Sequence, residues 1–215
     1  MEPGAIIAIL FCVVPLLYLL FYVIRSQQVA NETQRDVSDA DLIKLIHDQP
    51  DQLLSPHQLA SFTGITVNQA RHRLTAFNTA GMLTMSYNKR GRYFYALKQA
   101  YRDPAQVSFS PDPFLTVEDL LQLFAANDNR ANIQDIILAT RLPLQILKRE
   151  LKHFEKEGFI QQLTASSTQE LEGGKMAKFY VLQEPYRSEP HRFRERAGTL
   201  DLELKQLLKK ENLIV

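Results

Sequence analysis

The chain has 215 residues, of which 45% are hydrophobic, and its 25 Lys and Arg residues nearly balance its 24 Asp and Glu residues. This composition predicts a globular protein of one or two domains and excludes a chain that holds nucleic acid through overall charge alone. The single cysteine, Cys12, excludes a disulfide framework and a cysteine-based zinc site. Any nucleic-acid site must therefore depend on local basic patches.

Residues 4–24 (GAIIAILFCVVPLLYLLFYVI) contain no charged residue. A helix of about 20 apolar residues spans the ~30 Å hydrocarbon core of a bilayer, so this segment predicts a transmembrane helix in contact with membrane lipid. A cleavable signal peptide is the alternative, but the segment has no basic start and no small-residue cleavage site after Ile24. We expect an uncleaved anchor.

The basic residues beside this segment predict its orientation. None precedes it, whereas Arg25, Arg35 and Lys44 follow it. The positive-inside rule then places the N-terminus outside and the remaining domains in the cytoplasm, as in a single-pass protein of an inner or plasma membrane. Residues 25–38 are polar without apolar periodicity and predict a tether.

Residues 39–103 predict a first domain of three helices and a hairpin. The helices have apolar residues at three- and four-residue spacing, and cap residues mark their starts: Asp39, Ser55 and Thr66. We expect the third helix to run from Val67 to about Thr79, with Gly81 as its left-handed end. Strands are expected at residues 82–87 and 92–97, joined by a polar turn.

Much of this pattern returns after a shift of 77 residues, which aligns Leu59 with Ile136, Phe77 with Phe154 and Gly81 with Gly158. Such internal repetition fixes the architecture before any single motif is weighed. Residues 104–115 are then a proline-containing linker, and residues 116–186 form a second domain. Thr116 and Asn132 are its expected helix caps, and its third helix is expected from about Pro143 to Lys156.

The tail, residues 187–215, is first basic and becomes amphipathic after Gly198. Leucines recur at helical spacing in its second part: Leu200, Leu204, Leu207 and Leu208. A short amphipathic helix needs a surface to cover its apolar face. That surface could be one of the two domains, a second copy of the chain or the membrane.

Three helices followed by a hairpin describe a winged helix, and both repeats resemble the winged helix-turn-helix domains of bacterial transcription regulators. Residues 59–83 with a wing at 88–92 carry the resemblance in the first repeat, and residues 136–160 with a wing at 164–178 carry it in the second. The expected fold is mostly α with small β-hairpins (α+β). It comprises an N-terminal transmembrane helix, two winged-helix domains and a C-terminal amphipathic helix.

The resemblance implies a DNA site on the first repeat. In that family the third helix enters the major groove, and the wing touches the backbone or the minor groove. The implied base-contacting residues of the third helix are Asn68, Gln69, Arg71, His72, Arg73 and Thr75. On the wing, Lys89, Arg90 and Arg92 would hold phosphates. Arg can bridge guanine, and Asn or Gln can pair with adenine.

The second repeat departs from this pattern because it carries carboxylates on the corresponding surfaces: Glu150, Glu155, Glu157, Glu170 and Glu172. Carboxylates at a phosphate-facing surface oppose binding. We therefore expect the second repeat to contact a protein partner or to form a homodimer. The C-terminal helix is another candidate for these contacts.

The chain shows no motif for catalysis. Its five histidines have no metal-ligand spacing, and no phosphate-binding loop, nucleophile elbow or carboxylate pair is present. We expect no catalytic residue, no cofactor and no metal. Two functions stay open: a DNA-binding regulator or chromosome tether at the membrane, and a non-enzymatic adaptor that uses winged helices to bind a protein.

Overall fold

The computed structural model describes residues 37–104, 107–165 and 177–214. Within these ranges the chain is α+β, with seven helices and five strands. The helices are α1 (Asp39–His47), α2 (Pro56–Thr63), α3 (Val67–Thr79), α4 (Val117–Ala126), α5 (Ile133–Thr140), α6 (Leu144–Lys156) and α7 (Pro190–Lys210). The strands are β1 (Leu83–Tyr87), β2 (Tyr93–Leu97), β3 (Arg130–Ala131), β4 (Ile160–Ala165) and β5 (Ala177–Leu182).

In the first repeat, an N-cap residue precedes each of the three helices. Ser55 and Thr66 form capping boxes at the starts of α2 and α3, which confirms both expected caps. At α1 the expected cap is one residue too late: Ser38 accepts the hydrogen bond from the Asp41 N–H. Gly81 follows α3 with a φ of 84°, as expected for the left-handed end.

The hairpin of the first repeat pairs β1 with β2 in antiparallel register, from Leu83 opposite Leu97 to Tyr87 opposite Tyr93. The loop before α2 joins it through Leu54, which exchanges two backbone hydrogen bonds of 2.9 Å with Tyr95. This bridge fixes the hairpin beside the start of α2.

The second repeat follows the same order of elements. Thr116 and Asn132 cap α4 and α5, as the sequence predicts, and α6 begins directly after Pro143. A short strand, β3, was not expected; it extends the hairpin to a three-stranded sheet in the order β3-β5-β4. The tip of the second hairpin, residues 166–176, lies outside the described residues.

Helix α7 packs on the second repeat, so the first of the three expected partners for the tail is confirmed. Phe193, Leu200, Leu204 and Leu208 are buried, and the Val117 N–H donates to Asp201 at 3.0 Å. The helix is longer than the short one expected after Gly198: α7 has 21 residues and passes through this glycine. Burial of residues on both sides of Gly198 outweighs the helix penalty of a single glycine.

The prediction of a transmembrane helix is corrected. Within residues 37–104, 107–165 and 177–214, no helix is both long enough and apolar enough to cross a membrane. The structure therefore gives no support to a membrane-spanning element or to the single-pass location inferred from it. Residues 4–24 and nearly all of the expected tether lie outside the described part of the chain.

The two repeats are in contact, and Asp39 lies at the junction. One carboxylate oxygen accepts a hydrogen bond of 2.8 Å from Arg73 in the first repeat. The other accepts a hydrogen bond of 2.7 Å from the backbone N–H of Leu144, the first residue of α6 in the second repeat. Pro143 offers no side-chain cap, so a residue of the first repeat satisfies this helix start.

Candidate nucleic-acid interface

A groove of about 570 Å³ lies in the first repeat between the start of α2, helix α3 and the hairpin. Its lining consists of Ser55, Pro56, His57, Gln58, Arg71, Gly91, Arg92, Tyr93 and Phe94. Two arginines from separate elements, Arg71 on α3 and Arg92 at the hairpin, both line the groove. The groove is therefore a concave surface that carries two positive charges.

The turn of the first hairpin is shaped by Asn88. Its Oδ1 accepts hydrogen bonds from the backbone N–H groups of Arg90 at 2.9 Å and Arg92 at 3.0 Å. Gly91 adopts a φ of 70°, a left-handed conformation in which a side chain would be strained. Both features fix the backbone that carries Lys89, Arg90 and Arg92, and all three side chains are exposed.

Six of the nine predicted DNA-contacting residues are exposed. On α3 these are Asn68, Arg71 and Thr75, and on the hairpin they are Lys89, Arg90 and Arg92. Within the described part of the chain, none of the four basic side chains forms an ion pair. The structure brings Arg71 and Arg92 into the same groove.

Arg73 is a correction to the predicted set. Its side chain is 2% exposed, and its guanidinium donates to the Asp39 carboxylate and to the Val37 carbonyl oxygen. A charge in this position must be paired to be buried at acceptable cost. Arg73 therefore belongs to the core of the first repeat and cannot reach a nucleic acid.

Gln69 and His72 are only partly available. The side-chain oxygen of Gln69 accepts hydrogen bonds of 2.8 Å from both the N–H and the hydroxyl of Thr66, so it is engaged in the capping box. His72 is half-buried. Fewer side chains of α3 are therefore available to a ligand than the sequence predicts.

Sequence reasoning missed a signal of regional charge. Residues 52–102 contain seven Lys and Arg residues and no Asp or Glu. The matching part of the second repeat, residues 129–187, contains nine basic residues and seven acidic ones. A count by region, in place of the count for the whole chain, identifies residues 52–102 as the basic part of the first repeat.

The third helix of the second repeat is occupied by contacts within the chain. Its N-terminus is capped by Asp39, and α7 is joined to its side by the Arg149–Glu211 ion pair at 2.8 Å. In a DNA-reading third helix, the N-terminal residues must reach base edges. Helix α6 cannot do so while the first repeat covers its start.

Glu150 on α6 is buried, which corrects its expected place on an exposed acidic face. Its Oε1 accepts a hydrogen bond of 2.9 Å from the Leu115 N–H, and its Oε2 has no partner among the described residues. Burial raises the pKa of Glu150 to about 8, so the carboxyl is mostly protonated at neutral pH. It therefore contributes little negative charge there.

The basic groove of the first repeat is thus the site that the structure supports best for a polyanionic ligand. No family model, no curated protein and no solved structure matches this chain.

Proposed function

We propose that the first repeat is a winged-helix domain that binds duplex DNA. The observation that carries this proposal is a set of four exposed basic side chains that form no ion pair with any described residue: Arg71, Lys89, Arg90 and Arg92. Arg71 and Arg92 line one groove, and residues 52–102 contain no acid. Helix α3 would present Asn68, Arg71 and Thr75 to base edges in the major groove. Lys89, Arg90 and Arg92 would contact phosphates beside it.

Regional charge supports DNA over a neutral ligand. The near-zero net charge of the whole chain results from acids elsewhere, whereas residues 52–102 carry seven basic residues and no acid. Exposed charges separated by more than about 10 Å are largely screened at physiological salt, so the local patch governs phosphate binding.

The second repeat and α7 serve as a support in this proposal. The Asp39 carboxylate joins both repeats through buried hydrogen bonds, and α7 covers part of α4 and α6. A domain held in this way presents its groove from a fixed position, which reduces the entropy lost on binding.

Binding of the full chain to a mixed-sequence duplex, measured over a range of salt concentrations, tests the proposal. Arg71→Glu combined with Arg90→Glu should weaken binding at least tenfold, because two attractive charges become repulsive. Lys152→Glu combined with Lys205→Glu is the matched control. These lysines are exposed, lie in helix interiors of α6 and α7, and should leave affinity almost unchanged.

Absence of duplex binding at micromolar protein and low salt would overturn the proposal. Equal effects of the two double variants would also overturn it. Either result would favour the alternative function of a protein adaptor.

A further inference from the structure

Two tyrosines stand exposed on the hairpin of the first repeat. Tyr87 is 76% exposed and Tyr93 is 42% exposed, and they are directly opposite each other in the last pair of the β1–β2 register. Large aromatic side chains left in water represent apolar area that a ligand could cover.

The register places the two rings side by side. The Asn88 N–H donates to the Arg92 carbonyl oxygen at 3.0 Å, so residues 88 and 92 form a hydrogen-bonded pair. Antiparallel pairs alternate, which makes Tyr87 and Tyr93 a non-hydrogen-bonded pair with Cα atoms about 4.5 Å apart. In such pairs the side chains are close together on one face of the sheet.

The base of the hairpin holds this face in place. Tyr95 lies two residues beyond Tyr93 on the same face, is 2% exposed and is bonded to Leu54. Asn88 fixes the turn at the other end. The exposed pair is thus part of a rigid strand pair, so little conformational entropy is lost when a flat ligand covers it.

The charges beside the pair indicate the chemistry of that ligand. Lys89, Arg90 and Arg92 lie in the turn between the two tyrosines, and the hairpin has no acid. Aromatic rings among basic side chains suit a ligand with flat apolar faces and a negative backbone. Unpaired nucleotides have both properties, whereas the bases of an intact duplex are already stacked on one another.

We propose that Tyr87 and Tyr93 stack on unpaired bases of a single-stranded nucleic-acid segment that adjoins a duplex. This inference rests on the proposed function, because the groove and α3 hold the duplex part. The basic turn contacts the phosphates of the unpaired strand, and the tyrosine rings contact its bases. The preferred ligand is then a junction between double- and single-stranded nucleic acid.

The competing occupant is an extended peptide that pairs with the free edge of β1. The outward backbone groups of Met85 and Tyr87 would serve such a peptide, and Met85 is 47% exposed on the same face. A peptide of this kind would need no basic turn, so the charges favour the nucleic acid.

The test compares a blunt duplex with the same duplex carrying an unpaired tail of about ten nucleotides, which is within the range one small domain covers. Binding of the full chain is measured by anisotropy, and 2-aminopurine in the tail reports stacking through fluorescence quenching. We expect the tailed duplex to bind about tenfold more tightly and its 2-aminopurine to be quenched.

Tyr87→Ala should weaken both the preference and the quenching but keep the affinity for the blunt duplex, because Tyr87 does not line the groove. The retained affinity also shows that the variant folds. Tyr87→Phe should retain both effects because the ring remains. Phe62→Ala is the matched control, since Phe62 is 56% exposed on α2.

Equal affinity for tailed and blunt duplexes, or an alanine variant that behaves as the unmodified chain does, would overturn this inference while leaving duplex binding intact. Failure to bind either nucleic acid would overturn the proposed function together with it.

Discussion

Arg73 and Glu150 occupy equivalent positions, 77 residues apart, and each is buried against the residue that precedes the first helix cap of its own repeat. The Arg73 guanidinium donates to the carbonyl oxygen of Val37, whereas the Glu150 carboxyl accepts from the N–H of Leu115. The same position therefore joins the third helix to the segment before the first helix in both repeats. Arg73 does so as a hydrogen-bond donor and Glu150 as an acceptor. This role removes Arg73 from the DNA-facing surface.

Asp39→Ala should destabilise the chain strongly. The substitution leaves the buried Arg73 charge without its carboxylate and the Leu144 N–H without its cap. Breaking a buried ion pair typically costs about 3–5 kcal/mol in the free energy of unfolding. Urea unfolding, followed by circular dichroism, measures the change.

Asp103→Ala is the control for this substitution, because Asp103 is exposed and should change stability by less than about 0.5 kcal/mol. Comparable stability of the two variants would contradict the role assigned to Asp39.

Glu150→Gln should reduce the pH dependence of stability. Between pH 4.5, the ordinary pKa of a glutamate, and about 8, the folded chain keeps the proton that the unfolded chain releases. The free energy of unfolding of the unmodified chain therefore falls as pH rises through this window. Below pH 4.5 the carboxyl is protonated in both states, so this group causes no further change in stability with pH.

The glutamine variant lacks this titration, so its stability relative to the unmodified chain should rise from pH 5 to pH 8, by on the order of 3–5 kcal/mol at most. Urea midpoints at several pH values measure the difference. Glu203→Gln on the exposed face of α7 is the control. Parallel pH profiles for the unmodified chain and Glu150→Gln would contradict the assignment.

Phe193→Ala should detach α7 from the second repeat. Phe193 is fully buried, with its ring centroid 4.1 Å from that of Phe159 and 5.2 Å from that of Tyr186. Truncation of such a phenylalanine typically costs about 3–5 kcal/mol. Leu202 lies on the same helix and is 61% exposed, so Leu202→Ala should change the unfolding midpoint little. Equal unfolding midpoints for the two variants would show that the packing of α7 does not depend on the contacts of Phe193 with Phe159 and Tyr186.

Arg92→Gln should lower the salt dependence of duplex binding. Loss of one phosphate contact reduces the slope of log K against log salt by about one. Lys152→Gln should leave the slope unchanged, since Lys152 lies on α6. An unchanged slope for Arg92→Gln would remove this residue from the phosphate-contacting set.

Local chemistry made most elements of the two repeats predictable. Ser55 with Pro56, Thr66, Thr116 and Asn132 each mark a helix start because their side chains satisfy backbone N–H groups within a few residues. The 77-residue repeat then transferred the order of helices and hairpin from one half of the chain to the other. Both signals can be read from the sequence without knowing which residues are in contact.

The missed features depend on contacts distant in the chain. Arg73 was assigned to an exposed face because it is charged, although it lies three residues after Ala70 and four before Phe77, both buried. Its partner Asp39 is 34 residues away in the chain. Glu150 was assigned to an exposed acidic face for the same reason. The strand β3 exists only because Arg130 and Ala131 pair with Val181 and Tyr180. Periodicity within one helix contains no information about such partners.

The carboxylate of Asp39 has a mechanical consequence. It is bonded at once to α3, the helix proposed to read DNA, and to the first residue of α6 in the other repeat. A displacement of α6 must therefore either move α3 or break a buried hydrogen bond. A force applied to the second repeat would therefore be transmitted in part through this side chain to the proposed DNA-binding surface.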